Sequence, residues 1–177
     1  MKIWKLKFEV DKYDNFIPQK PFTVDEIMAF DGRSHLKSWG SVFVERMEPQ
    51  KGLELSDAPG FIIPVISKNA LEYLYKLIEK DVEILPLMSN EGEYFALNIT
   101  LILDAINYNE SEYKTYRDGK RIMVFEKYSF IPERIINRHI FKIIDEKRRF
   151  AFVSDEFKEA VETNNLKGFI FDLVWEK

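Results

Sequence analysis

The stretch FVSDEFKEAVETNNLKGFIFDLVWEK, Phe152 to Lys177, carries the clearest structural pattern in the chain. Ser154 is a favourable residue to begin a helix, because its hydroxyl can accept a hydrogen bond from a free backbone N–H of the first turn. Phe157 and Val161 then fall on one side at helical spacing, which indicates a buried stripe. The pattern predicts a helix over about residues 154–165.

The second half of the stretch predicts a strand. The pair that ends at Asn165 tolerates the left-handed backbone on which many helices end. From Phe169 to Trp175, apolar residues follow the two-residue period of a β-strand, and every second one is expected on the same face. Asp172 is the only charged residue in this run, so we expect the strand to be covered on much of both faces.

Two further patterns lie outside this stretch. A second helix is predicted over about residues 67–80, with Ser67 as its N-cap and an apolar stripe that includes Leu74 and Ile78. The opening segment alternates apolar and polar residues from Trp4 to Val10, which is typical of a half-buried strand.

Strand patterns outnumber helical ones along the rest of the chain. Asp118-Gly119 between two alternating runs is a strong hairpin signal, and Pro86 within a strand pattern indicates an edge strand or a bulge. The short apolar run Leu101 to Ile106 is interpreted as a helical turn. Because the helices are scattered between hairpins, the sequence predicts an α+β fold with a mainly antiparallel sheet, two clear helices and short helical turns.

The length of 177 residues fits a single domain over residues 1–177. Turn residues are concentrated in residues 1–60, so this part is expected to be irregular apart from its opening strand, with the core over residues 61–177. The chain has no cysteine, which excludes disulfides and thiolate zinc sites and agrees with a cytoplasmic protein.

Charge and hydropathy exclude several function classes. The net charge is −4, from 30 acidic and 26 basic residues, so the basic footprint of a nucleic-acid binder is absent. No apolar run approaches the roughly 18 residues of a membrane span, and the charged N-terminal strand does not resemble a signal peptide. We therefore expect no nucleic-acid partner and no membrane partner.

Catalytic and cofactor motifs are also absent from the sequence. His35 and His139 are the only histidines. Ser34 precedes the first of them, but neighbours along the chain do not make a catalytic triad, and no nucleophile elbow occurs. The glycines form neither GxGxxG nor GxxxxGK[ST]. The sequence predicts no catalytic residues, no metal ligands, no cofactor-binding residues and no cofactor.

Charged clusters and exposed aromatics are the remaining candidates for a site. The carboxylate pairs Asp25/Glu26, Asp145/Glu146 and Asp155/Glu156 are interpreted as solvated faces and helix starts. The basic cluster Lys147 to Arg149 could bind phosphate, although a charged turn is the simpler interpretation. Among the aromatics, Trp39 and the exposed member of the pair Tyr73/Tyr75 are candidates for interface anchors, because Trp and Tyr are favoured at binding hot spots.

Four phrases together resemble immunity protein family 11 of bacterial polymorphic toxin systems. The phrases are VISKNALEYLYKLIEKDVEILPL (Val65 to Leu87), EYFALNITLILDAIN (Glu93 to Asn107), KYSF (Lys127 to Phe130) and the C-terminal stretch FVSDEFKEAVETNNLKGFIFDLVW. The similarity extends over Phe61 to Trp175, and more loosely over Ile3 to Gln50. Each phrase consists of helix caps, the apolar stripes of helices and the alternating residues of strands. None of the phrases therefore marks a residue that acts in catalysis or binding.

The resemblance implies a small cytoplasmic protein that binds the effector domain of a cognate toxin noncovalently and occludes it. Two alternatives stay open: an enzyme that uses carboxylates in a cleft to reverse a toxin's modification, and a scaffold or regulator of the same fold that is unrelated to toxins. The residues that bind the partner, the toxin itself, and the choice between monomer and homodimer are not determined by the sequence.

Overall fold

A computed structural model describes all residues from 1 to 177 and shows twelve strands and four α-helices. The predicted α+β class is confirmed. The strands are β1 (Lys2–Phe8), β2 (Phe16–Pro18), β3 (Val42–Arg46), β4 (Val65–Ser67), β5 (Val82–Met88), β6 (Tyr94–Ile99), β7 (Ile102–Leu103), β8 (Glu112–Thr115), β9 (Ile122–Lys127), β10 (Ile140–Ile143), β11 (Ala151–Ser154) and β12 (Phe169–Glu176). The helices are α1 (Val24–Met28), α2 (Lys68–Ile78), α3 (Pro132–Ile135) and α4 (Asp155–Thr163).

The strands form two five-stranded sheets and one separate hairpin. The first sheet has the order β12-β1-β11-β10-β7 and the second has the order β2-β3-β5-β6-β4, while β8 pairs with β9 alone. All pairs are antiparallel except β10 with β7 and β3 with β5. The prediction of mainly antiparallel pairing is therefore correct. None of the helices combines the length and the apolar character needed to cross a membrane.

The two predicted long helices are present. In α4 the backbone N–H of Phe157 donates to the Ser154 hydroxyl at 3.2 Å, so Ser154 is the N-cap. Asn165 adopts the left-handed backbone with φ of 52°, and the N–H of Leu166 donates to the carbonyl of Val161 at 3.0 Å. These contacts close the last turn as the sequence predicts. In α2 the hydroxyl of Ser67 likewise accepts from the backbone N–H of Ala70.

The largest core joins both long helices to both sheets. Phe157 and Val161 of α4 pack there with Leu74 of α2, Leu6 of β1 in the first sheet and Leu97 of β6 in the second. Fully burying one such side chain contributes roughly 1.5–3 kcal/mol. Because this single core draws on residues from β1 to α4, it supports the proposal that residues 1–177 form one domain.

Two smaller cores lie on the outer sides of this arrangement. One lies on the other face of the first sheet, beneath the β8–β9 hairpin, and includes Phe130, Phe141 and Phe152. The other packs the segment around Phe16 and Phe30 against the second sheet. The structured core therefore extends into residues 1–60, although most of that part lies outside regular elements.

One predicted element has the wrong type. Leu101 to Ile106 was expected to form a helical turn, but Ile102 and Leu103 form strand β7, which pairs in parallel with Lys142 and Ile143 of β10. A short apolar run has no periodicity of its own that separates a strand from a helical turn. Here the run forms a strand because it can pair with the free edge of β10.

A β-bulge changes which face the end of β12 covers. Leu173 is opposite Trp4, whereas Trp175 is opposite Ile3, so Val174 is an extra residue in the ladder. Phe169 packs towards the core shared with α4, while Trp175 packs on the opposite side of the sheet, beside Phe130. The expectation that Trp175 shares a face with Phe169 is wrong, because an inserted residue inverts the alternation beyond it.

Pro86 also lies in a different position from the one predicted. Its strand, β5, is the central strand of the second sheet and pairs with β6 along most of its length. On its other side β5 pairs with β3 only at Leu87 and Met88. Residue 86 therefore needs no N–H on that side, and its carbonyl accepts a hydrogen bond from Trp39 Nε1 at 2.9 Å. The prediction of an edge strand is therefore wrong. The physical reason for it still applies at this position, because no partner strand needs a backbone N–H from residue 86.

We expect the substitution Phe157→Ala to lower the free energy of unfolding by about 3–5 kcal/mol, because it removes a fully buried aromatic side chain and leaves a cavity. The measurement is urea denaturation followed by circular dichroism. Glu159→Ala on the exposed side of α4 is the matched control and should stay within about 0.5 kcal/mol of the wild type. A loss below about 1 kcal/mol for Phe157→Ala would contradict this description of the core.

Candidate functional site

A pocket with aromatic walls, here called the aromatic pocket, lies beside α1 and has a volume of about 680 Å³. Trp39 and Phe22 stack with ring centroids 6.3 Å apart, and Phe30 meets Trp39 edge-on at 6.1 Å. Phe43, which is half exposed, lies at the same pocket. Concave sites of this size with apolar walls are typical of binding sites for a ligand or an inserted side chain.

Hydrogen bonds outside the pocket hold its walls in place. The indole of Trp39 is fixed by the bond from its Nε1 to the carbonyl of Pro86. Helix α1 begins with a capping box, in which the Thr23 hydroxyl accepts from the N–H of Glu26 and the Glu26 carboxylate accepts from the N–H of Thr23. These bonds lower the pKa of Glu26. Glu26 is thus a charged helix cap and is poorly suited to act as a base.

A second concavity, here called the apolar groove, runs between the two sheets. It has a volume of about 920 Å³ and lies between Leu6 and Phe8 of β1 and the segment that contains β2. Exposed apolar side chains of Val10, Met47 and Ile62 line it. Exposed apolar residues gathered in one place mark interaction sites more often than the same residues scattered singly.

The aromatic pocket and the apolar groove adjoin each other along the chain. Pro18 lines the groove, and the next residue, Gln19, lines the pocket. Together they form one surface, here called the β2 surface. Apart from Arg149 and Ala151, all of its lining residues come from residues 1–64. The part of the chain predicted to be irregular therefore builds a concave and largely apolar surface.

The candidate interface anchors, Trp39 and the pair Tyr73/Tyr75, lie in different places. Trp39 is half-buried in the wall of the aromatic pocket. Tyr73 and Tyr75 are exposed on α2, and their spacing of two residues places them on opposite flanks of that helix. The structure therefore connects Trp39 to a concave surface and leaves the two tyrosines separate from it. Phe22 and Phe43 were not selected from the sequence, because nothing in their local pattern distinguishes a pocket wall from a core residue.

The contacts of the two histidines do not form a Ser-His-acid triad. His35 stacks on Phe30 with ring centroids 4.5 Å apart, and its Nε2 lies 3.0 Å from the carbonyl of Ala29. His139 Nδ1 lies 3.0 Å from the Ser154 hydroxyl and 3.9 Å from Glu156. A triad needs the serine and the acid on opposite ring nitrogens, whereas here both face the same one.

The carboxylate pair Asp145/Glu146 differs from its prediction. It was interpreted as a solvated face, but Glu146 is buried and accepts a hydrogen bond from the Tyr128 hydroxyl at 2.7 Å. Lys5 in turn donates to the same hydroxyl at 2.9 Å. Burial raises the pKa of Glu146 and lowers the pKa of Lys5. The carboxylate folds inward because a tyrosine and a lysine on other elements offer it partners, and these lie far from it in sequence.

The side chains of the basic cluster Lys147 to Arg149 make contacts within the protein. Arg148 lies 3.3 Å and Lys147 3.9 Å from the buried carboxylate of Asp31, which also binds Arg33. Arg149 donates to the carbonyl of Met123 at 2.8 Å. Lys147 and Arg148 therefore join the turn before β11 to the segment that follows α1, and Arg149 joins the same turn to β9.

Lys142 makes a second internal contact between the two parts of the chain. Its side chain is buried on β10, and Nζ donates to the carbonyl of Phe30 in the wall of the aromatic pocket at 2.7 Å. Burial lowers the pKa of Lys142 to about 8, against an opposing contribution from Asp31. Among all the side chains, no group of three or more His, Cys, Asp or Glu is arranged to hold a metal ion.

The comparison with known families decides what kind of protein this is. The model of an immunity protein family (Imm11) matches residues 84–175. The chain belongs to this immunity protein family. The matched residues include strands β6 to β12 and helices α3 and α4, whereas most of the phrase Val65 to Leu87 lies before the match. No curated protein matches the chain.

The family match separates the residues that support the concave surface of this Imm11 protein from the residues that line it. The matched residues contribute much of the shared core. They also include Lys142, which donates to the carbonyl of Phe30, and Arg148, which pairs with Asp31. The aromatic pocket has no lining residue within the match, and the apolar groove has two. The part common to the family therefore supports a concave surface that the family model does not describe.

We expect the stability of the protein to rise with pH through the titration of Lys142. The folded-state pKa is about 8 and the unfolded value is 10.5. Between these values the unfolded chain holds a proton that the folded chain has lost, so stability increases as pH rises and is lost as pH falls through 8. From pH 7.5 to 9.5 this contribution amounts to about 2 kcal/mol.

Urea denaturation of the wild type and of Lys142→Met at both pH values isolates this contribution. The difference in unfolding free energy between the two proteins should change by about 2 kcal/mol in favour of the wild type at the higher pH. The control is Lys80→Met, which removes an exposed lysine and should leave the difference constant. If Lys142→Met behaves like this control, the ammonium group is not buried as described.

Proposed function

We propose that this immunity protein neutralises a cognate bacterial toxin by binding its effector domain noncovalently and occluding it. Membership of the Imm11 family supports the role in toxin immunity. The observation that supports occlusion is the β2 surface, which consists of two adjoining concavities with apolar and aromatic walls. We also propose that the protein acts in the cytoplasm, where a toxin that enters or is made in the cell would meet it.

The position of the β2 surface outside the family match suits a determinant of specificity. An inhibitor is selective when its affinity for one partner exceeds its affinity for others. A family model describes what members have in common, so contacts that select one toxin are expected among residues that the model does not describe. The β2 surface meets this requirement, since almost all of its lining residues precede residue 84.

The chemistry of the β2 surface indicates what the toxin presents to it. The aromatic pocket is stacked and rigid, and it can receive a protruding aromatic or aliphatic side chain without reorganising. The apolar groove beside it offers Val10, Met47 and Ile62 to further apolar contacts. A central anchor in a pocket, surrounded by contacts that exclude water, is the arrangement that concentrates binding energy.

The alternative of an enzyme that reverses a modification requires two inward carboxylates with raised pKa values in one cleft. In this structure Glu146 and Glu26 do not form such a pair. Glu146 has a raised pKa but is engaged with Tyr128 on the opposite face of the first sheet. Glu26 at the aromatic pocket has a lowered pKa. No observation favours this alternative or the toxin-unrelated regulator over toxin binding.

We expect Phe43→Ala to weaken binding to the toxin by about 30-fold, the loss of about 2 kcal/mol that is typical of a hot-spot residue. The partner to be used is the C-terminal domain of the toxin encoded beside this protein. Co-expression measures rescue of growth, and calorimetry with a catalytically inactive toxin domain measures affinity. Failure of the wild type to rescue growth and to form a complex would refute the proposed function.

The matched control for this experiment is Tyr73→Ala. Tyr73 and Phe43 are both 50% exposed aromatic residues, so the two truncations remove similar surface from different faces. Tyr73→Ala should leave affinity within about threefold of the wild type, as surface positions outside a hot spot do. If Tyr73→Ala weakens binding and Phe43→Ala does not, the toxin binds the α2 face and the β2 surface is the wrong assignment.

A further inference from the structure

Strand β12 is the longest strand of the protein, and it lies at an edge of the first sheet. Its only strand neighbour is β1. An edge strand presents unpaired backbone groups that can pair with another chain, and proteins usually protect such edges with short strands, prolines or charges. The other edge strands of the two sheets are short, with two residues in β7 and three in β2 and β4.

The edge strand β2 is an example of a sheet edge that is protected against pairing with another chain. Its Phe16 N–H donates to the carbonyl of Gly60 at 3.0 Å, and Pro18 has no N–H to offer. Strand β12 contains no proline, and its sequence FIFDLVWE has one charge before the terminal glutamate. Its only irregularity is the bulge at Val174. The residues before that bulge form a regular and unprotected edge.

The direction of the free backbone groups follows from the ladder with β1. The N–H of Glu9 donates to the carbonyl of Gly168 at 2.9 Å, so residue 168 faces β1. Successive residues of an antiparallel strand turn their backbone groups to opposite sides. The N–H and C=O groups of Phe169, Phe171 and Leu173 therefore point outward, away from β1.

We propose that a second copy of this chain pairs antiparallel with β12, so that the two first sheets become one continuous sheet. The two-fold axis passes beside Phe171, which faces Phe171 of the second copy. Phe169 then faces Leu173 of the second copy, and the reverse pair is formed by symmetry. The three pairs exchange about six backbone hydrogen bonds, two for each hydrogen-bonded pair.

The side chains of β12 are complementary to themselves in this register. On the face of the shared core, Leu173 is 44% exposed in the single chain, and Phe169 of the second copy would cover it. On the other face Asp172 meets Ile170 of the second copy, while its ion pair with Lys7 of its own chain stays in place. The pairs of Leu173 with Phe169 are thus apolar, and each Asp172 carboxylate keeps its ion pair with Lys7.

Charge selects this register over its neighbour. A shift of the axis from Phe171 to Asp172 would place the two Asp172 carboxylates directly opposite each other. Like charges opposite each other on adjacent strands are destabilising. The arrangement centred on Phe171 avoids this contact between the two Asp172 carboxylates.

The dimer leaves the β2 surface free. Neither the aromatic pocket nor the apolar groove contains a residue of β12, so each copy can still bind a partner. A standard stable interface buries about 800 Å² on each side, which is more than pairing of five residues supplies. We therefore expect a dimer that dissociates on dilution, and two toxin-binding surfaces per dimer.

Two cysteine variants test the register directly. The natural chain contains no cysteine, so Ile170→Cys and Asp172→Cys each carry a single thiol. In the proposed dimer these positions form a non-hydrogen-bonded pair with Cα atoms about 4.5 Å apart, which lies within the range of disulfides. Under mild oxidation a mixture of the two variants should give a covalent dimer on a non-reducing gel.

Each cysteine variant alone is the control for the mixture. Position 172 lies opposite position 170, so neither variant should cross-link with itself to a comparable extent. Absence of a covalent dimer in the mixture overturns the proposal. So does equal cross-linking of Asp172→Cys with itself, because that result would place the axis beside residue 172.

Sedimentation velocity over a range of concentrations tests the association without any cross-link. The wild type should show a dimer fraction that grows with concentration, and Leu173→Lys should remain monomeric, because it places two cations in the interface. The matched control is Leu36→Lys, which charges another exposed leucine outside β12 and should dimerise like the wild type. A wild type that stays monomeric up to its solubility limit overturns the proposal.

Discussion

The fold depends on the apolar side of α4, which lies where the two sheets and α2 meet. Phe157 and Val161 belong to a core that also contains residues of α2 and of both sheets, so the helix helps to close a core that neither sheet forms alone. The cap at Ser154 and the left-handed turn at Asn165 fix where this helix begins and ends. They thereby fix the start of β12, because only a few residues separate the helix from that strand.

Buried charges provide the second level of organisation. Asp31 binds Arg33, Lys147 and Arg148, and Lys142 donates to the carbonyl of Phe30. The contacts made by Lys142, Lys147 and Arg148 link residues more than a hundred positions apart in the chain. Buried ion pairs contribute little net stability, but removing one partner leaves an uncompensated charge. They are better understood as constraints that place the segment around α1 against β10 in one orientation.

The sequence predicts the elements of this protein better than it predicts the surfaces. Both long helices, the Asp118-Gly119 hairpin and the opening strand follow from caps, periods and turn residues, which act locally. Strand β7 and the burial of Glu146 could not be predicted in the same way, since each depends on a distant partner. The bulge at Val174 belongs to the same class, because the pattern of β12 alone gives no sign of it.

Surface properties show the same division between local and distant causes. Trp39 could be selected from its residue type, but the pocket also needs Phe22, Phe30 and Phe43, which reach it from separate segments. The basic residues before β11 formed a plausible phosphate site in the sequence, and distant Asp31 accounts for two of them. Residue type identifies what can bind, and the tertiary structure decides which groups remain free to do so.

The bond between Lys142 and Phe30 anchors one wall of the aromatic pocket on the first sheet. The carbonyl that accepts from the ammonium belongs to a residue that lines the pocket, and the donor lies on β10, within the family match. The acceptor is a backbone group, which every residue type carries. A substitution at position 30 can therefore change the surface that the pocket presents to a partner while this anchor to the sheet is kept.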